Sequence, residues 1–94
     1  MPKAMWGGKV IAESSRCVEV EGNLYFPPEA VKRKFLVPSA TKTTCPWKGQ
    51  ASYYHVEVDG MRNADAAWYY ASPSDAAKQI RDHIAFWKGV RVER

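Results

Sequence analysis

Ninety-four residues suffice for one domain, read here as 1–94, and leave no room for a second; 46% hydrophobic, 26% charged and 13% aromatic residues exclude a disordered chain. Fourteen basic against ten acidic residues leave a net +4, and no apolar run approaches the roughly eighteen residues of a membrane-spanning helix. The opening Met1-Pro2-Lys3-Ala4-Met5-Trp6-Gly7-Gly8 lacks the apolar core of a secretory signal, so a cytoplasmic protein with free thiols at Cys17 and Cys45 is expected.

In chain order, Lys9–Ser14 and Arg16–Glu21 read as short strands, Val18 and Val20 sharing one face of the second. Glu21-Gly22-Asn23 is a turn signal, after which Leu24-Tyr25-Phe26 resumes extended structure. Pro27-Pro28 then predicts a two-turn helix over about 28–34, with Val31 and Phe35 facing the core and Pro38 blocking its continuation. Gln50–Asp59 alternates clearly: Tyr54, Val56 and Val58 against Tyr53, His55, Glu57 and Asp59. Asp59-Gly60 turns the chain, and Ala64–Tyr70 returns as the second arm of a hairpin with a long loop. Ser72-Pro73-Ser74-Asp75 predicts a second short helix, capped by Ser72 and carrying Ala76, Ala77 and Ile80 inward. Ile84, Phe86, Val90 and Val92 alternate through a final strand or strand pair around Gly89. Strands interrupted by two short helices make a mainly-β domain, not an alternating parallel α/β fold.

The charge is unevenly placed. No acid occurs from Ala30 to Val56, where Lys32, Arg33, Lys34, Lys42 and Lys48 all lie, so the remainder carries nine bases against ten acids, or −1. A local positive field favours an anionic partner such as a phosphate, carboxylate or nucleotide, although cations at Lys32–Lys34 also suit the end of a short helix. Cys17, Cys45, His55 and His83 contain no C-x-x-C or H-x₃₋₅-H pair, so no metal site and no cofactor is expected. His83 reads as structural, Trp6 and Trp87 as packing residues, and Asp65 as a partner for Arg62 or Lys48.

One connector, Lys42–Tyr54, stands out, and within it runs Thr44-Cys45-Pro46-Trp47-Lys48-Gly49-Gln50-Ala51-Ser52-Tyr53. Pro46 stiffens it, Gly49 permits close approach or positive φ, and Trp47 is too large and apolar for an idle exposed loop. A rigid loop presenting a thiol, an indole and an ammonium makes a good pocket wall, unless Cys45 and Trp47 simply plug the core beneath it. This run resembles the signature of the bacterial family numbered 427 among the domains of unknown function. Ala66-Ala67-Trp68-Tyr69-Tyr70-x-x-Pro73, Ile84-Ala85-Phe86-Trp87, Ile11-Ala12 and Tyr25-Phe26-Pro27 resemble its other marks, in order, over nearly the whole chain. The resemblance implies a β-tent fold, in which two small antiparallel sheets lean together, similar to methionine sulfoxide reductase B and to cereblon's ligand-binding domain. Some proteins of that fold bind small ligands in an aromatic cage, for which Trp47, Tyr53, Trp68 and Tyr70 are the matching residues here.

Three functions compete on this reading. The leading one is a ligand-binding module whose site comprises Cys45, Trp47, Lys48, Gly49, Tyr53, His55, Trp68 and Tyr70. Its aromatic rings stack a flat or cyclic small molecule, possessing an anionic or nucleotide-like group that Lys48 orients. The second is an enzyme: either Cys45 acts as a nucleophile with His55 or Tyr53 carrying the proton, or the chain performs the nucleotidyl transfer suggested by the family's nucleotidyltransferase-like label. Nucleotidyl transfer calls for carboxylates holding Mg²⁺, and the available pairs, Glu19/Glu21 and Glu57/Asp59, read as solvated strand faces. No Walker-type phosphate loop accompanies them. The third, nucleic-acid binding by the basic middle segment, lacks any RRM, KH or helix-turn-helix motif and is the least favoured.

Overall fold

The computed structural model describes residues 1–94 and is built almost wholly from short antiparallel strands. β1 (Lys3–Trp6) and β2 (Lys9–Glu13) form a hairpin, and β9 (Arg91–Glu93) joins the other edge of β1 to complete a three-stranded sheet. β3 (Val18–Val20) and β4 (Asn23–Tyr25) form a separate two-stranded hairpin. β5 (Leu36–Cys45), β6 (Gly49–Val58), β7 (Met61–Tyr69) and β8 (Ile84–Phe86) make a four-stranded meander in that order. The mainly-β architecture therefore stands, with three sheets where the resemblance implied two.

The four-stranded sheet is covered on both faces because its residues alternate. Val56 and Val58 of β6, Ala67 of β7, and Ile84 and Phe86 of β8 pack with Ala4, Ile11 and Ala12 of the three-stranded sheet. Across the same strands, Ala51, Tyr70 and Ala85 pack with Tyr25, Ala77 and Ile80 in a second, smaller core. Successive residues Tyr25 and Phe26 thus serve different cores, as the two-residue strand period requires. Reciprocal backbone bonds between Phe26 and Ile84, at 2.8 and 2.9 Å, tie the β3–β4 hairpin to the edge of β8. That tie brings Glu21, Asn23 and Tyr25 over the second core.

The two expected short helices form only as 3₁₀ segments. Over 28–34 the chain makes two 3₁₀ turns, Pro28–Ala30 and Arg33–Phe35. Between them Val31 bridges Ala12, and the Lys32 N–H donates to the Ile11 carbonyl at 2.8 Å, which pulls the backbone out of helical conformation. Val31 and Phe35 still reach the core as expected. The later segment is also 3₁₀, Asp75–Ile80, broken at Ala77, and it starts after Ser74 instead of Ser72. Ser74 caps nothing; its N–H and hydroxyl are spent on the Cys45–Gly49 loop, as described below. Ala77 and Ile80 are buried, while Ala76 is exposed.

The β6–β7 hairpin is tighter than the expected long loop. Val58 pairs with Met61, leaving only Asp59 and Gly60 in the turn, at φ 51° and 79°. Two positive φ values match the right-handed twist of the flanking strands and suit an Asp-Gly pair. A register shift of two residues on β7, between the Tyr54–Ala67 and Val56–Asn63 pairs, then places Asp65 at φ 55°. It is this bulge that lets both Ala66 and Ala67 be buried.

Candidate functional site

Cys45 and Gly49 are paired at the end of the β5–β6 hairpin, so Pro46-Trp47-Lys48 form a three-residue loop. Gly49 has φ 110°, outside the range of ordinary L residues, and a Cβ there would sit 3.5 Å from the Ser72 carbonyl oxygen. Ser74 staples the loop from the far side: its N–H donates to the Lys48 carbonyl at 3.0 Å and its hydroxyl to the Trp47 carbonyl at 2.6 Å. The loop is thus rigid because the downstream 3₁₀ segment is bonded to it.

This geometry turns Trp47 outward and Lys48 inward. Trp47 is 41% exposed, whereas Lys48 is 6% exposed, an unusual burial for an ammonium. The Lys48 Nζ lies 5.0 Å from the centroid of the Trp47 ring and 5.7 Å from that of Tyr70. Its counter-ion is Glu21, on the turn of the β3–β4 hairpin, whose second carboxylate oxygen accepts from Trp47 Nε1 at 3.3 Å. Burial works against the Lys48 charge, but the Glu21 hydrogen bond leads the effects that outweigh it and hold its pKa above the ordinary lysine value. Glu21, bonded by Lys48 and Trp47, is correspondingly held below the usual carboxylate range.

Beside Lys48 opens a cavity of about 300 Å³, lined by Asn23, Tyr25, Lys48, Tyr53, Trp68, Tyr70 and Trp87. Its rings follow one another: Tyr25 packs 6.5 Å from Tyr70 and edge-on 6.1 Å from Trp68, which meets Trp87 edge-on at 5.6 Å. Both indole N–H groups are used within the protein, Trp68 on the Tyr25 hydroxyl at 3.1 Å and Trp87 on the Asp65 carbonyl at 2.6 Å. The Tyr53 hydroxyl is shared with Thr43 at 2.9 Å. Burial pushes the Tyr70 phenol up to about 12, so it stays a neutral hydroxyl. A larger hollow of about 560 Å³, between Lys9, Lys32, Lys34, Phe35, Glu57 and Asp59, shares none of these residues. Its walls are mostly charged side chains with little apolar surface, so the aromatic cavity is the better ligand site.

Of the residues singled out from sequence, Lys48, Tyr53, Trp68 and Tyr70 line this cavity, and Cys45, Trp47 and Gly49 build the loop at its rim. His55 lies elsewhere. It does not line the cavity, although it lies only two residues beyond the wall residue Tyr53 on β6. There its Nδ1 accepts the Asp65 N–H at 3.0 Å. Asp65 is paired with neither Arg62 nor Lys48; its carboxylate accepts from Ser39 at 2.5 Å and Thr41 at 2.8 Å, while Arg62 binds Glu57. Those two hydroxyl bonds hold the Asp65 pKa below the ordinary aspartate value. Trp87, expected to be packing, is 46% exposed and forms a wall. From sequence Asn23 shows only as part of a turn and Glu21 only as a solvated strand-face acid beside Glu19, because their place at the site depends on the tie between Phe26 and Ile84.

The two thiols are free and differ in character. The Lys48 backbone N–H, with help from that of Trp47 and the Lys48 charge, lowers the Cys45 pKa, whereas burial raises that of Cys17. The strand carboxylates are already held by cations: Glu19 by Arg94, Glu21 by Lys48 and Glu57 by Arg62.

The family model of the domain of unknown function DUF427, labelled NTP_transf_9, matches residues 3–94. The chain belongs to that family. No curated protein matches it. In this DUF427 domain the Cys-Pro-Trp-Lys-Gly run is the stapled loop, the Trp68-Tyr69-Tyr70 run supplies two cavity walls, and Ile84–Trp87 provides the sheet edge and a third. No helix is long and apolar enough to cross a membrane.

Proposed function

We propose that this DUF427 domain binds a small flat or cyclic molecule in the aromatic cavity, with Lys48 orienting its polar end. One observation carries the reading: five aromatic side chains surround a hollow at whose rim sits a buried ammonium. Aromatic faces offer stacking surface at low conformational cost, and a buried cation gives a hydrogen bond stronger than it would be in water. The volume lies at the small end of small-molecule sites. Nucleotidyl transfer fits less well, because Glu19, Glu21 and Glu57 are each engaged by a basic side chain and not left together to hold a metal-bound triphosphate.

Thermal unfolding in the presence of a metabolite panel, nucleotides and aromatic acids among it, tests the reading. A ligand at a hundred times its dissociation constant adds about 2.7 kcal/mol. The expected result is a raised melting temperature in wild type and in Met61→Ala, whose side chain is exposed away from the cavity, and no rise in Trp87→Ala. Trp87 is half-exposed, so Trp87→Ala is expected to fold, which its own unliganded melting transition checks. A ligand that stabilises all three proteins equally would place binding outside the cavity.

A further inference from the structure

We infer that the cavity's ligand carries a carboxylate, and that Glu21 holds that group's place on a clasp made by Trp47 Nε1 and Lys48 Nζ. The inference rests on the cavity reading and names the ligand's polar end. Both Glu21 oxygens are used, one on each donor, and Glu21 makes no other side-chain bond. A planar carboxylate shared between an indole N–H and an ammonium is recognition of a specific group, not a loose surface contact.

The two partners of this ion pair are unequal. The Lys48 side chain is 8% exposed, with its ammonium between the Trp47 and Tyr70 rings. A charge with so little access to water is costly to leave unpaired. The Glu21 side chain is 54% exposed, on the tip of a two-stranded hairpin, and regains full hydration by a side-chain rotation. Exchange of one carboxylate for another therefore conserves charge at Lys48 and both hydrogen bonds. Lys48 also lines the aromatic cavity, whereas Glu21 and Trp47 do not. An aromatic carboxylate with its ring among Tyr25, Trp68 and Trp87 has its charged end beside the one cation that the cavity wall presents. The clasp also accounts for Trp47: its indole is kept at the surface as a hydrogen-bond donor to an anion instead of being packed into the core.

The test uses the full chain as wild type, Glu21→Ala and Glu21→Ala/Lys48→Met, with acetate, indole-3-acetate and indole-3-acetamide as probes. Acetate is expected to raise the melting temperature of Glu21→Ala by about 5 °C more than sodium chloride of equal ionic strength. It should do nothing of the kind for wild type or the double variant. By calorimetry, indole-3-acetate is expected to bind Glu21→Ala about tenfold more tightly than wild type. The amide, which has no charge to exchange, should bind both alike. Equal effects of acetate and chloride, or equal affinity of indole-3-acetate for both proteins, would overturn the inference. Should Glu21→Ala not fold, Glu21→Gln takes its place in both arms, with gains in the same direction but smaller because its amide oxygen still accepts from one of the two donors. The cavity reading fails separately: if acetate rescues Glu21→Ala but neither indole compound binds any variant, the clasp stands without the aromatic site. If indole-3-acetamide binds wild type but not Trp87→Ala while the carboxylate gains nothing from loss of Glu21, the cavity stands without the clasp.

Discussion

Lys48 illustrates how a single residue can be both a structural liability and the centre of a site. Its ammonium is buried, paired with one movable carboxylate and faced by two rings. The same charge acts on Cys45, whose thiolate is favoured first by the Lys48 backbone N–H. Cys45 is therefore expected to react with iodoacetamide at neutral pH faster than Cys17, whose pKa burial raises. Mass spectrometry of the alkylated chain reads the two sites separately, and faster modification of Cys17 would refute the assignment. Asp65 makes a different prediction. Its folded pKa lies below the ordinary value of 3.8 because Ser39 and Thr41 donate to its carboxylate. A depressed acid contributes stability that is complete above the unfolded pKa and is lost as pH falls through the folded one. Denaturant melts should thus show wild type more stable than Asp65→Asn at neutral pH, with the two curves converging on acidification below about pH 4. Curves that stayed parallel would mean that the Asp65 charge is immaterial to folding.

At the scale of elements, the hairpin turns depend on backbone conformations that few residues adopt. Gly60, at φ 79° with open space around it, lies near the left-handed region, so Gly60→Ala is expected to cost about 1 kcal/mol. Gly49, at φ 110°, lies outside that region, so Gly49→Ala should cost about 2 kcal/mol or more through backbone strain alone. Chemical denaturation of both variants checks the order, which would be reversed if turn formation in the β6–β7 hairpin mattered more than the staple. The 3₁₀ segments show the opposite balance. Pro28–Ala30 and Asp75–Ile80 have helix-starting sequences, but each is too short to outweigh backbone bonds to a strand or loop elsewhere.

Across the whole molecule, the four-stranded sheet separates two cores and the β3–β4 hairpin is attached through Phe26 and Ile84. Phe26 is wholly buried and meets Phe86 edge-on at 5.7 Å. Phe26→Ala is expected to cost about 3–5 kcal/mol, a large share of the stability of so small a domain. Met61→Ala, exposed on the β6–β7 turn, should stay within about 0.5 kcal/mol of wild type. Because the hairpin carries Glu21, Asn23 and Tyr25, a Phe26 variant mild enough to fold, such as Phe26→Leu, should also weaken ligand binding. Unchanged binding in that variant would show that the hairpin is positioned by other contacts.

Much of this was legible from the residues alone. The alternation of Tyr54, Val56 and Val58 specified β6 and its inward face, and Asp59-Gly60 specified the turn after it. The Cys45–Gly49 run and the aromatic pair Trp68 and Tyr70 pointed to the cavity, and the spaced family marks pointed to the fold. These signals are local: a two-residue period, a turn pair or a contiguous motif is complete within a few positions of the chain. What only the tertiary structure decided involves partners distant in sequence. Glu21 lies 27 residues from Lys48, and Ser74 lies 27 from the Trp47 carbonyl that it binds. Tyr25 lies 43 from Trp68. The direction in which Trp47 and Lys48 point, and the place of Trp87 in a wall instead of the core, follow from those bonds. A strand pattern states which residues share a face, but the partner across the gap is chosen by packing and hydrogen-bond satisfaction of the whole chain, which no local pattern encodes.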